Sequence, residues 1–376
     1  MGGRTSTRWP HTRPAWRLSG VGQSLCSGRR RDHRPLCPHR GRLQRVSPQQ
    51  RSRAVTPREK FIMALEGKQP PGRVPHWELV FYLTMEAIGK VHPEQRAYHQ
   101  WDQMSETERE CHRLDIAQLY VDCARKYEHS GIMFHGSGGW RDPADETRRI
   151  LDKIRDISGD EFLLLIHGDP TLSLPGGDTM MKFAVQLAED PQGIKDNCAR
   201  YVEGCVKAAE QYAKDSVLDG FAMCADYCFN NAPFLSPAMF DEFVTPYLTQ
   251  TIAAYREMGF YTIKHTDGNI MPILDSLVAA RPHALHSLDP QGCVDIAEVK
   301  RLVGDKVCLI GNVNCGLLQT GTDEEVIESA RYALTSGMPG GGYVFSTSNC
   351  IYTGLPLHRY DLILDLWRRE GNYPER

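Results

Sequence analysis

The chain of 376 residues, with 41% hydrophobic and 24% charged side chains, is long enough to bury a large core. Its longest aliphatic run, near residues 162–166, is far shorter than the roughly 18 apolar residues of a membrane helix, so we expect no spanning segment. Twelve cysteines without a CxxC pair favour reduced thiols and a cytoplasmic location over a disulfide-bonded secreted protein.

The beginning of the chain differs in charge from the rest. Residues 1–56 contain thirteen arginines, no lysine and one acid, about +12, which leaves about −15 for the remainder. This composition cannot bury enough apolar surface to fold, so residues 1–55 are expected to be a disordered tail. A nucleic-acid-binding arm, an organellar transit peptide and upstream sequence outside the working protein all remain open, and the abrupt onset of patterning at Thr56 favours the last.

From Thr56 onward, apolar runs of strand length alternate with helical periods. A first helix begins after the cap Thr56 and the N1 residue Pro57. Strands are predicted at 73–79, 131–136, 162–168, 220–226, 260–267, 284–289, 307–313 and 342–349. Helices are predicted at 114–127, 143–157, 191–214, 236–258, 270–280, 294–303, 323–336 and 358–370. Eight strands alternating with helices predict an α/β protein, a single-domain (β/α)₈ TIM barrel over residues 56–376.

In such a barrel the chemistry lies at the carboxyl ends of the strands, and the predicted strands all end in polar residues. The stretch IKHTDG places His265 and Asp267 two positions apart, so both side chains point to the same side of one strand. The polar strand ends are Glu78, His135, His167 with Asp169, Asp226, His265 with Asp267, Asp289, Asn312 with Asn314, and Ser348 with Asn349. Their convergence predicts a shared pocket.

Several stretches from Thr56 to the C-terminus resemble the uroporphyrinogen decarboxylase superfamily, which also contains cobalamin-dependent methyltransferases. They are REKFIMALEGKQPPGRVPHWE, LSPAMFDEFVTPYLTQTI, HTDGNIMPILDSL, ALHSLDPQGCVDIAEVKRLVGDKVCLIGNVNCGLL and GGGYVFSTSN. The resemblance implies a (β/α)₈ barrel with its site at the carboxyl ends of the strands, in agreement with the periodicity.

The decarboxylase branch of the family binds a polycarboxylate substrate through a pair of arginines just after the first strand. The corresponding stretch here, residues 75–90, has no arginine and carries Glu78 and Glu86, which would repel that substrate. The family's late histidine aligns with Asn349. Decarboxylation of a porphyrinogen in tetrapyrrole biosynthesis therefore stays as the alternative function.

The methyltransferase branch implies zinc bound by an H-x-C motif and a late cysteine. Here H-x-C is His265-Thr266-Asp267, and the late cysteine position is Asn349 with Cys350 beside it. A carboxylate in place of a thiolate still permits a catalytic zinc with an open position. The resemblance thus implies metal ligands among His265, Asp267, Glu78 and Cys350, with Asp226 as a further candidate.

The sequence and the resemblance together predict a corrinoid-dependent methyltransferase that moves a methyl group between a small substrate, thiol or folate and a corrinoid on a separate protein. The sequence lacks the DxHxxG motif of a corrinoid domain, so a partner is expected to carry it. A homodimer is typical of the family, and neither nucleic acid nor membrane is expected as a partner. A non-catalytic corrinoid or tetrapyrrole binder is the third hypothesis.

Each candidate residue also has a purely structural interpretation. His265 and Asp267 could form a hydrogen-bonded pair that closes the barrel, and Asp226 could cap a loop rather than transfer a proton. The aromatic candidates could pack in the core instead of forming a wall of the pocket. The predicted catalytic residues are Asp226, His265 and Asp267. The predicted substrate-binding residues are Glu78, Trp77, Tyr227, His135, His167, Asn312 and Asn349.

Overall fold

A parallel sheet of seven strands in chain order forms the centre of the computed structural model, which describes residues 54–136, 140 and 143–374. The tail expected over residues 1–55 lies outside the described residues up to position 53. The strands are β1 Gly131–Met133, β2 Leu163–His167, β3 Gly220–Cys224, β4 Tyr261–Thr266, β5 Ala284–Ser287, β6 Cys308–Val313 and β7 Tyr343–Thr347. Each falls within a predicted strand, so these seven predictions are confirmed.

Helices connect the strands and cover the sheet. They are α1 Pro57–Leu65, α2 Thr84–Ile88, α3 Glu106–Lys126, α4 Pro143–Ser158, α5 Gly177–Glu189, α6 Pro191–Asp215, α7 Pro237–Phe243, α8 Thr245–Glu257, α9 Leu274–Ala279, α10 Ile296–Val303, α11 Cys315–Thr320, α12 Asp323–Gly337 and α13 Leu357–Glu370. The Thr56 hydroxyl caps α1 by accepting a hydrogen bond from Glu59 N at 3.1 Å, as the sequence predicts. In the described part of the chain, no helix combines the length and apolarity needed to cross a bilayer.

The structure corrects two predicted elements. The helix expected over 236–258 is two helices, α7 and α8, which meet at Val244. Pro246 has no N–H to donate, so the helical hydrogen bonds cannot continue without a break. The strand expected over 73–79 makes single bridges instead of a ladder, since Pro75 has no N–H to donate. Backbone hydrogen bonds nevertheless join this segment to β7 at one edge of the sheet and to the residue before β1 at the other edge. Trp77 N donates to Phe345 O at 3.1 Å, and Ser130 N donates to His76 O at 2.7 Å.

Alternation along the strands separates two apolar layers. One face of the sheet, called the inner face here, carries a cluster that includes Met133, Leu165, Ala222, Ile263, Ala284, Ile310 and Val344. The opposite face packs against the helices through residues such as Leu164, Phe221 and Leu309. Because side chains repeat every two residues, the inner-face positions that follow Met133, Leu165 and Ile263 are His135, His167 and His265. The inner face thus changes from apolar to polar at the carboxyl ends of the strands.

Candidate active site

Three ligand-type side chains converge at the ends of β3 and β4. Asp226, His265 and Asp267 each offer an atom within 4.8 Å of the other two. His265 Nε2 lies 3.7 Å from Asp226 Oδ1 and 3.7 Å from Asp267 Oδ1. The backbone N–H of Asp267 donates to Asp226 Oδ1 at 3.1 Å, which ties the two strand ends together. We call these three residues the mouth cluster.

Gly268 lets the chain turn immediately after the cluster. Its φ is +77°, and a Cβ there would lie 2.7 Å from Cys228 O and 2.6 Å from Phe229 O. Any other residue would combine a left-handed backbone with this clash. The glycine of IKHTDG therefore allows the loop after Asp226 to pack directly beside Asp267.

The hydrogen bonds of His265 fix its tautomer. His286 Nε2 donates to Thr347 O at 3.2 Å, because a carbonyl can only accept. Burial lowers the pKa of both histidines, that of His265 to about 3, so both rings are neutral. His286 Nδ1 then carries a lone pair and accepts from His265 Nδ1–H at 2.8 Å. His265 Nε2 is left unprotonated and faces the two carboxylates.

The Oδ1 atom of Asp267 is a second electron-pair donor at this point. Its Oδ1 is buried and forms no hydrogen bond with any residue that the structure describes, while its Oδ2 accepts from the amide of Asn349. Burial and, secondarily, the neighbouring Asp226 raise the pKa of Asp267 to about 7. Above that pH the His265 lone pair and the ionised carboxylate oxygens converge without a proton between them, and they are then a donor set suited to a cation.

Glu78 and Cys350, the other predicted metal ligands, lie outside the mouth cluster. Glu78 is fully buried beside β7, where it accepts from Thr347 Oγ1 at 2.6 Å. Burial raises the pKa of Glu78 to about 8, so at neutral pH it is a carboxylic acid rather than a ready ligand. Burial likewise holds the pKa of the Cys350 thiol well above its ordinary value.

The predicted substrate-binding residues occupy different environments. Asn349 is bonded to Asp267, at the cluster. Trp77 is fully buried against the His286 ring, with 5.6 Å between centroids, and Tyr227 is buried with its hydroxyl 2.5 Å from Thr171 Oγ1. Asn312 is buried and donates to Leu288 O at 2.8 Å. In this structure, therefore, Trp77 packs in the core and Asn312 stabilises a loop.

Sequence reasoning missed Lys264, which supports the cluster from the opposite side of β4. Its buried ammonium donates to Asp169 Oδ2 at 2.8 Å, Met223 O at 3.1 Å and Ala225 O at 2.9 Å. These bonds hold the end of β3 just before Asp226. A lysine inside an apolar strand was the available signal, because burying an unpaired ammonium is costly.

The chain belongs to the uroporphyrinogen decarboxylase (URO-D) family, whose model matches residues 174–369. Uroporphyrinogen decarboxylases of Thioalkalivibrio sulfidiphilus and Photobacterium profundum are 24% and 23% identical over 252 and 254 residues. These matches cover 62% and 60% of this chain, and 68% and 65% of those proteins. The chain thus spans about two thirds of the curated relatives that it matches.

A solved structure shares the fold. A methyltransferase from Methanosarcina mazei superposes with a TM-score of 0.61 at 16% identity, over 84% of this chain and 98% of that one. At this identity the likeness establishes the fold alone. The family is one of enzymes, but it includes more than one reaction. The reaction must therefore be inferred from the residues at the carboxyl ends of the strands.

The buried ion pair under the cluster gives a first prediction. Lys264→Met leaves the Asp169 carboxylate, which is 3% exposed, without its cation, and we expect unfolding in urea to become easier by about 3–5 kcal/mol. The matched control is Lys195→Met, which removes a surface pair with Glu242 and should cost less than about 1 kcal/mol. Equal losses in the two variants would contradict a supporting role for Lys264.

Asp267 gives a second prediction, for protein stripped of metal with EDTA. Its pKa is raised from 3.8 when unfolded to about 7 when folded, so wild-type protein loses stability as pH rises through this interval. The asparagine in Asp267→Asn cannot ionise. The free energy of unfolding of this variant in urea, relative to that of wild-type, should therefore increase by about 3 kcal/mol from pH 4 to pH 8. The exposed control Asp275→Asn should show no such change. A constant difference across this pH range would refute the assignment.

Proposed function

We propose that this protein is a metal-dependent methyltransferase that transfers a methyl group between a small substrate or acceptor and a corrinoid held by a separate protein. One observation carries the proposal. The mouth cluster aims a tautomer-fixed histidine lone pair and an unpartnered carboxylate oxygen at a common point. Enzyme membership of the family and the fold shared with a solved methyltransferase support this choice.

The cluster fits a zinc-type cation by its donor chemistry. His265 Nε2, Asp226 and Asp267 would hold the metal, and His286 fixes His265 from behind, as outer partners of metal-bound histidines do. When bound, the metal supplies Lewis-acid polarisation of the acceptor or leaving atom and lowers that atom's pKa. In this proposal Glu78 and Cys350 are not ligands.

The protein's own groups prepare the site. The Asn349 amide orients Asp267, and Lys264 holds the segment that leads into Asp226. Asp226 is 45% exposed and so remains accessible to a proton carried by substrate or water. Asp226 would be one of the residues that hold the metal, and its exposure would let it exchange a proton with solvent.

Decarboxylation of a porphyrinogen is the second candidate, because decarboxylases are 24% identical over 62% of the chain. Its substrate carries many carboxylates and requires cations at the mouth. Here Asp226, Asp267 and Asp289 interact electrostatically in that region, and residues 75–90 contain no arginine. The resulting repulsion favours methyl transfer over this reaction.

A metal-binding experiment tests the cluster. Untagged protein, stripped and then titrated with Zn²⁺ in a calorimeter, should bind about one ion. His265→Ala and Asp267→Asn should each weaken binding by at least about tenfold, whereas the exposed control His358→Ala should leave it unchanged. Affinity should fall as pH drops below about 7, because a proton then competes at Asp267. A wild-type protein that binds no zinc would remove the metal model.

Turnover separates the candidate functions. Zinc-loaded protein should demethylate methylcobalamin in the presence of thiol or folate acceptors, as followed by the visible spectrum. His265→Ala should slow the reaction by at least about 100-fold, and His358→Ala should not. Loss of carboxylates from uroporphyrinogen, with no reaction of methylcobalamin, would instead establish the decarboxylase. Binding of cobalamin without turnover in either assay would indicate a non-catalytic binder.

A further inference from the structure

A second pair of histidines lies on the inner face beside the mouth cluster. His135 follows β1 and His167 ends β2, and their rings are 4.7 Å apart between centroids. His135 is buried, whereas His167 is exposed at the carboxyl end of its strand. Neither belongs to the mouth cluster. A chain of hydrogen bonds runs from the backbone carbonyl of Leu79 through His135 to His167.

That chain determines where each proton lies. His135 Nε2 must donate to Leu79 O, 3.1 Å away, because a carbonyl only accepts. Burial lowers the pKa of His135, so the ring is neutral and its Nδ1 carries a lone pair. His167 Nε2–H therefore donates to His135 Nδ1 at 2.9 Å. In neutral His167 the remaining nitrogen, Nδ1, is an unprotonated acceptor, and no described residue bonds to it.

Removal from water favours the neutral state of the pair, although the nearby carboxylates Asp169 and Glu94 act in the opposite direction. Although part of the His167 ring is exposed, partial removal from water, and next the neighbouring His135, lower the pKa of His167, and Asp169 opposes them more weakly. Glu94, whose carboxylate accepts from the Tyr82 hydroxyl, lies 3.7 Å from His135 Nδ1. From β4, neutral His265 interacts electrostatically with His167. The free base of His167 therefore persists through neutral pH.

The distance to the mouth cluster suits a small molecule held between them. His167 pairs with Ala222 on β3, and Ala222 pairs with Ile263, two residues before His265 on β4. Two strand spacings separate β2 from β4, about 10 Å. Because His167 and His265 continue the alternation of Leu165 and Ile263, both lie on the inner face, and a substrate that bridges this distance would contact both rings.

We propose that His167 is the catalytic base that removes the proton of the methyl acceptor, a thiol, hydroxyl or amine, and that His135 is the positioning residue that fixes its tautomer. The inference rests on the proposed methyl transfer. The acceptor X–H bond breaks and its proton moves to His167 Nδ1. The electron pair left on X forms the new bond to the methyl carbon, while the electrons of the old carbon–cobalt bond stay with the corrinoid donor.

The tautomer can be measured without any substrate. In two-bond ¹H–¹⁵N spectra of protein labelled in the histidine rings, His167 should show a protonated Nε2 and a bare Nδ1, with His167→Gln providing the assignment. Between pH 7.5 and 5.5 this pattern should persist. A protonated Nδ1 on His167 at pH 7, or a change of the His167 pattern between pH 7.5 and pH 5.5, would overturn the inference.

Kinetics then test the chemical role. With methylcobalamin and 2-mercaptoethanol, His167→Ala should lower kcat by about 10²–10⁴-fold, and added imidazole should restore at least part of it. His135→Gln, which can still accept from His167, should retain more activity than His135→Leu, and His358→Ala should match wild-type. An unchanged kcat in His167→Ala would remove the base role.

The two proposals fail separately. If wild-type protein transfers no methyl group to any acceptor, the proposed function falls and the base assignment falls with it, even if the spectra show the expected tautomer. If methyl transfer occurs and imidazole never rescues His167→Ala, the proposed function stands and only the base assignment is lost. Far-ultraviolet circular dichroism of each variant checks that the loss is not caused by unfolding.

Discussion

The parallel register between β3 and β4 is the constraint on which the site depends. Cys224 pairs with His265, so the residues two positions further along, Asp226 and Asp267, also come side by side. A slip of one residue would turn His265 away from the inner face and replace it with Lys264. The ion pair of Lys264 with Asp169, on the other face of β4, favours the same register. One strand thus carries a residue of the mouth cluster on one face and, on the other, the ammonium group that binds the end of β3.

Desolvation explains the chemical character of the mouth. Burial lowers the pKa values of His265 and His286 and raises those of Glu78 and Asp267. Each shift disfavours the charged form, so these four groups are neutral rings and weak acids, in contrast to the buried ion pair of Lys264 with Asp169. Directional hydrogen bonds then decide which nitrogen keeps its lone pair. This combination favours metal binding at one point and proton acceptance at another.

The same arrangement of hydrogen bonds occurs in two histidine pairs at the carboxyl ends of the strands. In both histidine pairs a backbone carbonyl, Thr347 O or Leu79 O, fixes the inner ring, and the inner ring fixes the outer one. The outer rings, His265 and His167, each present an unprotonated nitrogen. The first faces two carboxylates and favours a cation, while the second is open and favours a protic group. Two similar relays therefore support different chemical roles.

The sequence by itself determined seven of the strands, most helices, and the pairing of His265 with Asp267 on one face, because the two-residue period is a local property of a strand. It also determined the family resemblance, which the match over residues 174–369 confirms. It did not exclude Glu78 and Cys350 from the cluster or reveal Lys264. It could not give the histidine tautomers either, because these depend on carbonyls and neighbours far away in the chain, such as Thr347, which lies 61 positions after His286. Burial and hydrogen-bond direction are set only when distant strands are brought together, and that is why the tertiary structure decided them.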